Sequence, residues 1–585
     1  MTQATLFSAT SLVLVAAIYL SLLIPLLSRR WQSNPSIAKK PQLNRTAAGA
    51  ILSIALFQHG AWAFLCQHSQ APARSLPQLA GALLVQLALI PFFYTQSYLL
   101  WLTTALFSRD PLQLNRPDPP QSTPTQKQLP SVTAIMPCRN EPYDVVKMTI
   151  ESLLNLTYPA GNLSIIVADN STADHRDTED IKILIAASST PSRPIRFLHR
   201  DGTDNFKAGN LDLAISQARS DLVLFVDVDS TVPSHLLLDS ATRFFDSPSL
   251  GYLQFFNLPT NASMGKAAAI ATSMLLTIKI KESYQANLGG WCFFQGHNAL
   301  WSMEALKRIG PLSQHLWGES LLVEDVAMSI RANRAGFRGQ THLIPTGFWA
   351  PISLGGLQRM LTRWSYGNLQ FLVKESLALL SSDRQALSPS EHMDLLFHFG
   401  EILVQALFPF VLLIIPASVP ALILLYCSFL PTLLIAIPIH CRCRDLQPIT
   451  NRAPWAVSTG HLLLLPFYYW CNLKAMVQFL SRKKQVWIPT DKTYQTRQDQ
   501  PRWRSVGIGL RAPWLALAAI LIAASLLLLQ PHTRLDSWLR LLPLLLGSIM
   551  VLIVIARDGL PQHAIATELA ASEASNNPTS QSPTK

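Results

Sequence analysis

Long apolar blocks flank a central stretch of short apolar runs, and the two patterns predict different kinds of structure. Residues 6–27, 46–66 and 79–107 are largely uncharged. Each holds roughly 20 residues or more, enough for a helix to cross about 30 Å of hydrocarbon. Blocks at 396–416, 419–440, 513–530 and 537–556 meet the same test, so seven membrane spans are expected. A further segment, 454–480, is apolar enough to make an eighth. Pro466 interrupts it and the cluster Arg482, Lys483 and Lys484 follows it, so a pair of short interfacial or re-entrant helices is expected there. The first block lacks a basic stretch before it and a small-residue cleavage site after it, which predicts a retained span.

Between the apolar blocks the period changes. Val132–Met136, Leu163–Ala168, Ile195–His199, Asp221–Val226 and Gly251–Phe256 are short β-prone runs. Helical patterns such as Tyr143–Leu156 and Ala208–Arg219 lie between them. Alternating strand and helix predicts a mostly parallel sheet covered on both faces. The chain therefore divides into an N-terminal transmembrane region (1–107, three spans), a Pro-rich linker (108–130), an α/β domain (131–385) and a second transmembrane region (386–557). A Ser-, Asn-, Thr- and Pro-rich tail (558–585) is expected to be disordered. Residues 353–375 mix apolar positions with Arg359, Arg363, Trp364 and Lys374, which suits a helix lying along a membrane surface.

Composition supports this division. Apolar residues make up 49% of the chain and charged residues 14%, too little charge for an ordinary soluble protein. Much of the net charge of +12 sits beside spans, at Arg29, Arg30, Lys39, Lys40 and Arg45, then at Arg442, Arg444 and Arg452. That is the distribution of cytoplasmic loops, and no nucleic-acid partner is needed to explain it. With the loop 28–45 inside, three crossings put the α/β domain in the cytoplasm of a multi-pass plasma (inner) membrane protein. The seven cysteines are scattered and odd in number, which fits neither a disulfide framework nor a zinc site.

Candidate chemistry is concentrated in Ser220-Asp-Leu-Val-Leu-Phe-Val-Asp-Val-Asp-Ser230. A buried strand ends there in Asp227 and Asp229, two apart and so on one face. The carboxyl ends of strands are where open α/β sheets bind ligands. Two such carboxylates suit Mg²⁺ or Mn²⁺ carrying a diphosphate. Four further features follow the same logic. Asp169 closes an earlier strand. Lys207 and Asn210 open a helix just before the Asp227 strand. Glu324 and Asp325 occupy the acidic first turn of another helix. Arg363 and Trp364 lie in Thr362-Arg-Trp-Ser365.

This ordered set resembles the membrane-embedded enzymes of glycosyltransferase family 2, the cellulose, hyaluronan and chitin synthases. The resemblance covers the central domain and, more loosely, the surrounding spans. It implies a GT-A fold, a nucleotide-diphospho-sugar transferase domain, inserted between α-helical transmembrane regions of 7–8 spans plus interfacial helices. Asp169 would hold the uracil end of a UDP-sugar, Asp227 would lie near the ribose and diphosphate, and Asp229 would ligate the metal with Asp227 beside it. Lys207 would sit beside the nucleotide, Asp325 would be the general base, and Arg363 would contact the diphosphate. Trp364 would stack on the acceptor sugar at the mouth of a transmembrane channel. Gly296, His297 and Asn298, in Phe294-Gln-Gly-His-Asn-Ala299, are similar to an acceptor-site segment of the periplasmic glucan glucosyltransferases.

Two departures matter. The family pattern Gln-x-x-Arg-Trp has Met360 in the place of Gln. Trp487, Thr490 and Lys492, in Trp487-Ile-Pro-Thr-Asp-Lys492, only partly match the gating loop of cellulose synthases. The expected function is inverting, metal-dependent transfer from a UDP-sugar to a growing β-linked glycan, coupled to export with the help of partner proteins. The alternatives are a single addition to a lipid carrier or glycolipid, or a transporter or scaffold with an inactive transferase-like domain.

Overall fold

The computed structural model describes residues 45–69, 76–108, 129–381 except 203 and 265, 387–414, 419–435 and 471–483, with short pieces at 16–17, 437–438 and 467–468. The predicted spans 513–530 and 537–556, the span 6–27 apart from residues 16–17, the tail, most of the linker and the gating candidates Trp487, Thr490 and Lys492 lie outside the described residues.

The central domain is built on a seven-stranded sheet of order β3-β2-β1-β4-β6-β5-β9. Its strands are β1 (Val132–Cys138), β2 (Leu163–Asp169), β3 (Ile195–His199), β4 (Leu222–Phe225), β5 (Leu250–Pro259), β6 (Ala299–Ser302) and β9 (Arg338–Phe348), while β7 (His315–Leu316) and β8 (Glu319–Ser320) form a separate antiparallel pair. β1 pairs in parallel with β2 and β4, β2 with β3, and β5 with β9. β6 alone runs antiparallel, between β4 and β5, so the sheet is mixed. A four-residue strand, Ala-Leu-Trp-Ser, is too short to leave a periodic signal.

Alternate strand residues enter opposite cores, as the period of two demands. Ala134, Met136, Ile165, Val167 and Leu224 pack on α3 (Tyr143–Leu154) and α4 (Thr178–Ser188) through Val146, Ile150, Ile181 and Ile185. Ile135, Ile166, Val223 and Phe225 pack on the other face, against α5 (Phe206–Gln217) through Ala208, Leu211 and Ala214. α7 (Met303–Ile309) and α8 (Glu324–Arg334) complete that layer. Both faces are covered, and the arrangement is the GT-A-like α/β fold that the resemblance implies.

Four apolar helices form a second unit: α1 (Arg45–Ser69), α2 (Leu76–Ser108), α10 (Pro389–Ile414) and α11 (Val419–Leu434). Two described segments, Ala47–Leu65 and Leu83–Phe107, are long and apolar enough to cross a membrane. The predicted span 419–440 is a shorter helix, and α10 carries Asp394, His398 and Glu401 along its length. The 22-residue helix α6 (Lys266–Asn287), between β5 and β6, joins the two units. Its Ile280 and Tyr284 share one apolar core with Phe256 and Leu258 of β5 and with Leu52, Phe93 and Phe397 of the helices. Asp394 adds polar links, accepting from Tyr98 Oη at 3.3 Å, from Gln285 Nε2 at 2.5 Å and from the Trp291 backbone N–H at 2.8 Å.

The surface helix expected at 353–375 is α9 (Leu354–Ser381). It is not a one-sided surface helix. Leu357, Leu361, Tyr366 and Phe371 are all buried, and Leu361 and Tyr366 pack into clusters that include Cys471, Ala475 and Phe479. Those three belong to helix α12 (471–480), so the described end of the ambiguous segment 454–480 docks on α9. Of its polar residues, Arg363 faces an internal cleft, while Lys374 donates to the Gln314 side chain and the His315 carbonyl.

Candidate functional site

The cleft lies at the carboxyl ends of β1 and β4, with a cavity volume of about 190 Å³. Past Val226 the chain enters a tight turn, in which the Ser230 N–H donates to the Asp227 carbonyl at 3.0 Å. Val228 and Ser230 are buried, while Asp227 and Asp229 face the cleft. Both carboxylates face one cleft as the sequence predicts, but a turn and not an extended strand brings them there, and neighbouring elements clamp it. Thr149 Oγ1 of α3 donates to the carbonyls of Val228 and Ser230. Thr231 and Gly347 of β9 exchange backbone hydrogen bonds of 3.0 and 2.8 Å.

Lys207, in the first turn of α5, crosses the cleft. Its Nζ lies 2.7 Å from Asp227 Oδ1 and donates to the Gly296 carbonyl at 2.9 Å. Burial works against its charge, but Asp227, Glu324 and Asp325 outweigh that and raise its pKa. Gly296 is required twice over. Its φ of +83° is left-handed, where glycine is favoured. An added Cβ would also stand 2.9 Å from Asp325 Oδ2.

Glu324 and Asp325 begin α8 and face the cleft. Enclosure by the cleft walls raises both carboxyl pKa values. Glu324 is pushed up to about 7 by burial and then by the charge of Asp325. Asp325 is raised by burial, against the pull of its Val326 N–H hydrogen bond, Lys207 and Lys279. Arg363 and Trp364 enter from α9, with Met360 beside them. Burial lowers the Arg363 pKa, while Glu324, Asp227 and Asp325 raise it.

Of the residues singled out from sequence, the cleft brings together Lys207, Asp227, Asp229, Gly296, His297, Asp325, Arg363 and Trp364. Two do not line it. Asp169 is 2% exposed and its carboxylate is engaged by His199 Nδ1 at 2.7 Å and Ser171 Oγ at 2.6 Å. Its neighbour Asn170 faces the cleft instead, held by Asn210 Nδ2 at 2.9 Å. Asn298 is fully buried, and its amide donates to the Gly347 carbonyl at 3.2 Å. Asp169 follows the alternation of β2 inward, whereas Asn298 stands just before β6 at a left-handed φ of +47°.

Sequence reasoning missed Arg139, Glu141, Lys279 and Gln295, which all line the cleft. Arg139 and Glu141 follow β1 as Asp169 follows β2, and that position was their signal. Arg139 Nη1 is buried without a hydrogen-bond partner. Among the described residues, no group of three or more His, Cys, Asp or Glu side chains is placed to hold a metal ion. A cation held by one or two carboxylates and a substrate diphosphate needs no third, so Asp229 with Asp227 fits that mode.

A second cavity, of about 210 Å³, opens from the same place between α2, α6, α10 and α11. Lys279, Gln295, Val323, Asp325 and Trp364 line both.

Residues 133–310 match the glycosyl transferase family 2 model, and residues 222–439 match glycosyl transferase family group 2. The chain is thus similar to glycosyltransferase family 2 across its α/β domain. It is 22% identical over 271 residues to a probable glycosyltransferase of Sulfolobus acidocaldarius, covering 46% of this chain and 56% of the relative. It is 25% identical over 261 residues to the poly-β-1,6-N-acetyl-D-glucosamine synthase of Staphylococcus aureus, covering 44% and 59%. The chain spans less than two thirds of either relative. Among solved structures, a mannosyltransferase from Pyrobaculum calidifontis in complex with GDP-Man and Mn²⁺ matches at 19% identity and TM-score 0.39, over 67% of this chain and 100% of that one.

Proposed function

We propose that this chain transfers a hexosyl unit, with inversion, from a UDP-sugar to a growing β-linked glycan at the cytoplasmic face of a multi-pass membrane, and passes the product outward. The observation that carries this reading is the shared wall between the two cavities. The donor-side acids and the acceptor-side Asp325 and Trp364 meet where the cleft opens toward the apolar helices.

The residues divide the work by position. Arg139 and Asn170 offer hydrogen bonds to the nucleoside at the β1–β2 end. Asp169 acts one step back, fixing the loop of Ser171 and His199. Asp227, held by Lys207, faces the ribose and diphosphate. Asp229 with Asp227 would hold Mg²⁺ or Mn²⁺, which when bound supplies positive charge to the diphosphate. Asp325 accepts the proton of the acceptor hydroxyl as its oxygen attacks the anomeric carbon. The bond from that carbon to the diphosphate oxygen breaks, and the nucleoside diphosphate leaves with the electron pair. Arg363 and Lys207 stabilise the charge that gathers on it. Trp364 stacks on the acceptor ring. His297, beside Phe348 at a ring-centroid separation of 5.2 Å, shapes the wall between donor and acceptor. Trp487, Thr490 and Lys492 would close over the bound donor. Seven to eight spans carry the domain.

Met360, standing where the family has Gln, favours a second reading, a single addition to a lipid carrier. Incubating the purified full chain with labelled UDP-sugars and a divalent cation, then sizing the product, tests both. A polymer ladder supports the first reading and a single lipid-bound sugar the second. No transfer from any nucleotide-sugar overturns both and leaves the scaffold alternative.

A further inference from the structure

Lys279 of α6 lines both cavities, and Glu282, three residues on, lines the inner one. The Lys279 side chain is 9% exposed and its Nζ lies 3.7 Å from Glu282 Oε2. That separation is beyond direct hydrogen-bond range. The ammonium has three N–H donors, so a ligand can use what Glu282 does not.

The pair is held from the sheet. Thr346 Oγ1 of β9 donates to Asn257 Oδ1 at 2.8 Å. Asn257 Nδ2 donates to Gln295 Oε1 at 2.9 Å, and Gln295 Nε2 donates to Glu282 Oε2 at 2.9 Å. Each amide accepts on one side and donates on the other, so the chain has one direction and ends on the carboxylate that faces Lys279. The network runs from the middle of the fold to the cavity junction and fixes one ammonium there. The Lys279 Nζ is also 5.8 Å from the centroid of the Trp364 ring, within reach of the ring's attractive face.

We propose that Lys279 is an acceptor-binding residue. It donates to ring oxygens of the terminal sugar while Trp364 stacks on that sugar, and together they hold the attacking hydroxyl at Asp325. The charge of the inner cavity defines the ligand class. Lys279 and Lys281 face Glu282, Asp325, Asp394 and Glu401 there. Lys281 is already committed to both oxygens of Glu401 at 2.8 Å. Carboxylates outnumber ammonium groups, so the cavity suits an uncharged, hydroxyl-rich oligosaccharide and disfavours a uronate-containing or phosphorylated acceptor. This inference rests on the glycosyl-transfer reading.

The test uses the purified full chain with neutral and carboxylate-bearing oligosaccharide acceptors. In Lys279→Met, UDP affinity should stay within about twofold of wild type. kcat/KM for the neutral acceptor should fall about tenfold to a hundredfold, and Lys279→Arg should restore part of it. A wild-type transfer rate in Lys279→Met, or a loss of UDP affinity that parallels the loss of transfer, overturns the proposal. Glu282→Gln keeps a hydrogen-bonding group for Gln295 and leaves one ammonium uncompensated. It should raise use of the carboxylate-bearing acceptor relative to the neutral one, and an unchanged ratio also overturns the proposal. Failure of the wild-type chain to hydrolyse or transfer any nucleotide-sugar overturns instead the reading on which it rests.

Discussion

Lys207 Nζ is 2.7 Å from Asp227 Oδ1 and, through the Gly296 carbonyl at 2.9 Å, touches the wall that packs on Asp325. One ammonium thus ties the donor side of the cleft to the acceptor side. Removing it leaves the half-buried Asp227 carboxylate without that partner in a cleft that must take a diphosphate. Truncating one partner of a buried charged pair costs a large factor in binding. Lys207→Ala should bind UDP at least about thirtyfold more weakly by calorimetry. Affinity within a few-fold of wild type would mean that Lys207 is only a helix-start residue.

Asp325 is expected to act as a carboxylate, and enclosure raises its pKa above the ordinary 3.8. A base with a raised pKa loses activity as pH falls through that raised value. The acid limb of the kcat profile should therefore lie above the range of an exposed Asp. Asp325→Asn should abolish transfer and keep UDP affinity nearly intact. Measurable turnover in that variant, or an acid limb at or below 3.8, contradicts the assignment.

Glu324 makes a separate, thermodynamic prediction. Its pKa is about 7 in the fold against an ordinary 4.5. Between those values the unfolded chain holds fewer protons than the folded one, so stability falls as pH rises through the window and levels off above it. Thermal melts across that window should show the decline, and Glu324→Gln should make it shallower. Equal slopes in the two proteins would place the cause in another group.

The carboxylates beside β4 predict a metal requirement. EDTA should stop transfer and added Mn²⁺ or Mg²⁺ should restore it. In Asp229→Ala the added ion should no longer strengthen UDP binding. A cation effect that survives in Asp229→Ala would remove Asp229 from the metal site.

Gly367 of α9 packs against the loop that carries the base. An added Cβ would lie 2.7 Å from Val323 Cγ1 and 3.1 Å from the Val323 backbone nitrogen, one residue before Glu324. Alanine is the better helix former by about 1 kcal/mol, so stability alone does not forbid the change. The loop must shift, and a misplacement of about 1 Å can cost a hundredfold in rate. Gly367→Ala should fold, keep UDP affinity and lose most of its transfer activity. A full rate would show that this loop tolerates movement.

What the sequence disclosed follows from where chemistry sits in a sheet protein. Asp227, Asp229, Lys207 and Asp325 each stand at the end of a regular element, so period and punctuation locate them without knowledge of the fold. Asp169 was located the same way, and its strand position was right. Its side chain points inward because its register sends the next residue, Asn170, to the cleft, and register depends on neighbouring strands. Lys279 and Gln295 lacked such a signal. They line one cavity only when α6 packs over β5 and β9, a relation between segments that no local period encodes. The antiparallel β6 was hidden for the same reason, since its four residues are specified by the strands on either side. The helix 353–375 was legible as a helix. Its polar stripe was attributed to lipid headgroups because a cleft and a membrane surface leave the same pattern.

The apolar core that Phe256, Leu258, Ile280 and Tyr284 share with α1, α2, α10 and α11 has a practical corollary. Cutting the chain at the ends of the α/β domain would leave those side chains facing water and strand the Asp394 carboxylate from its partners Gln285 and Trp291. The sugar-handling half has no stand-alone version: isolating it means taking its greasy companions along, and heating should melt the two as one body.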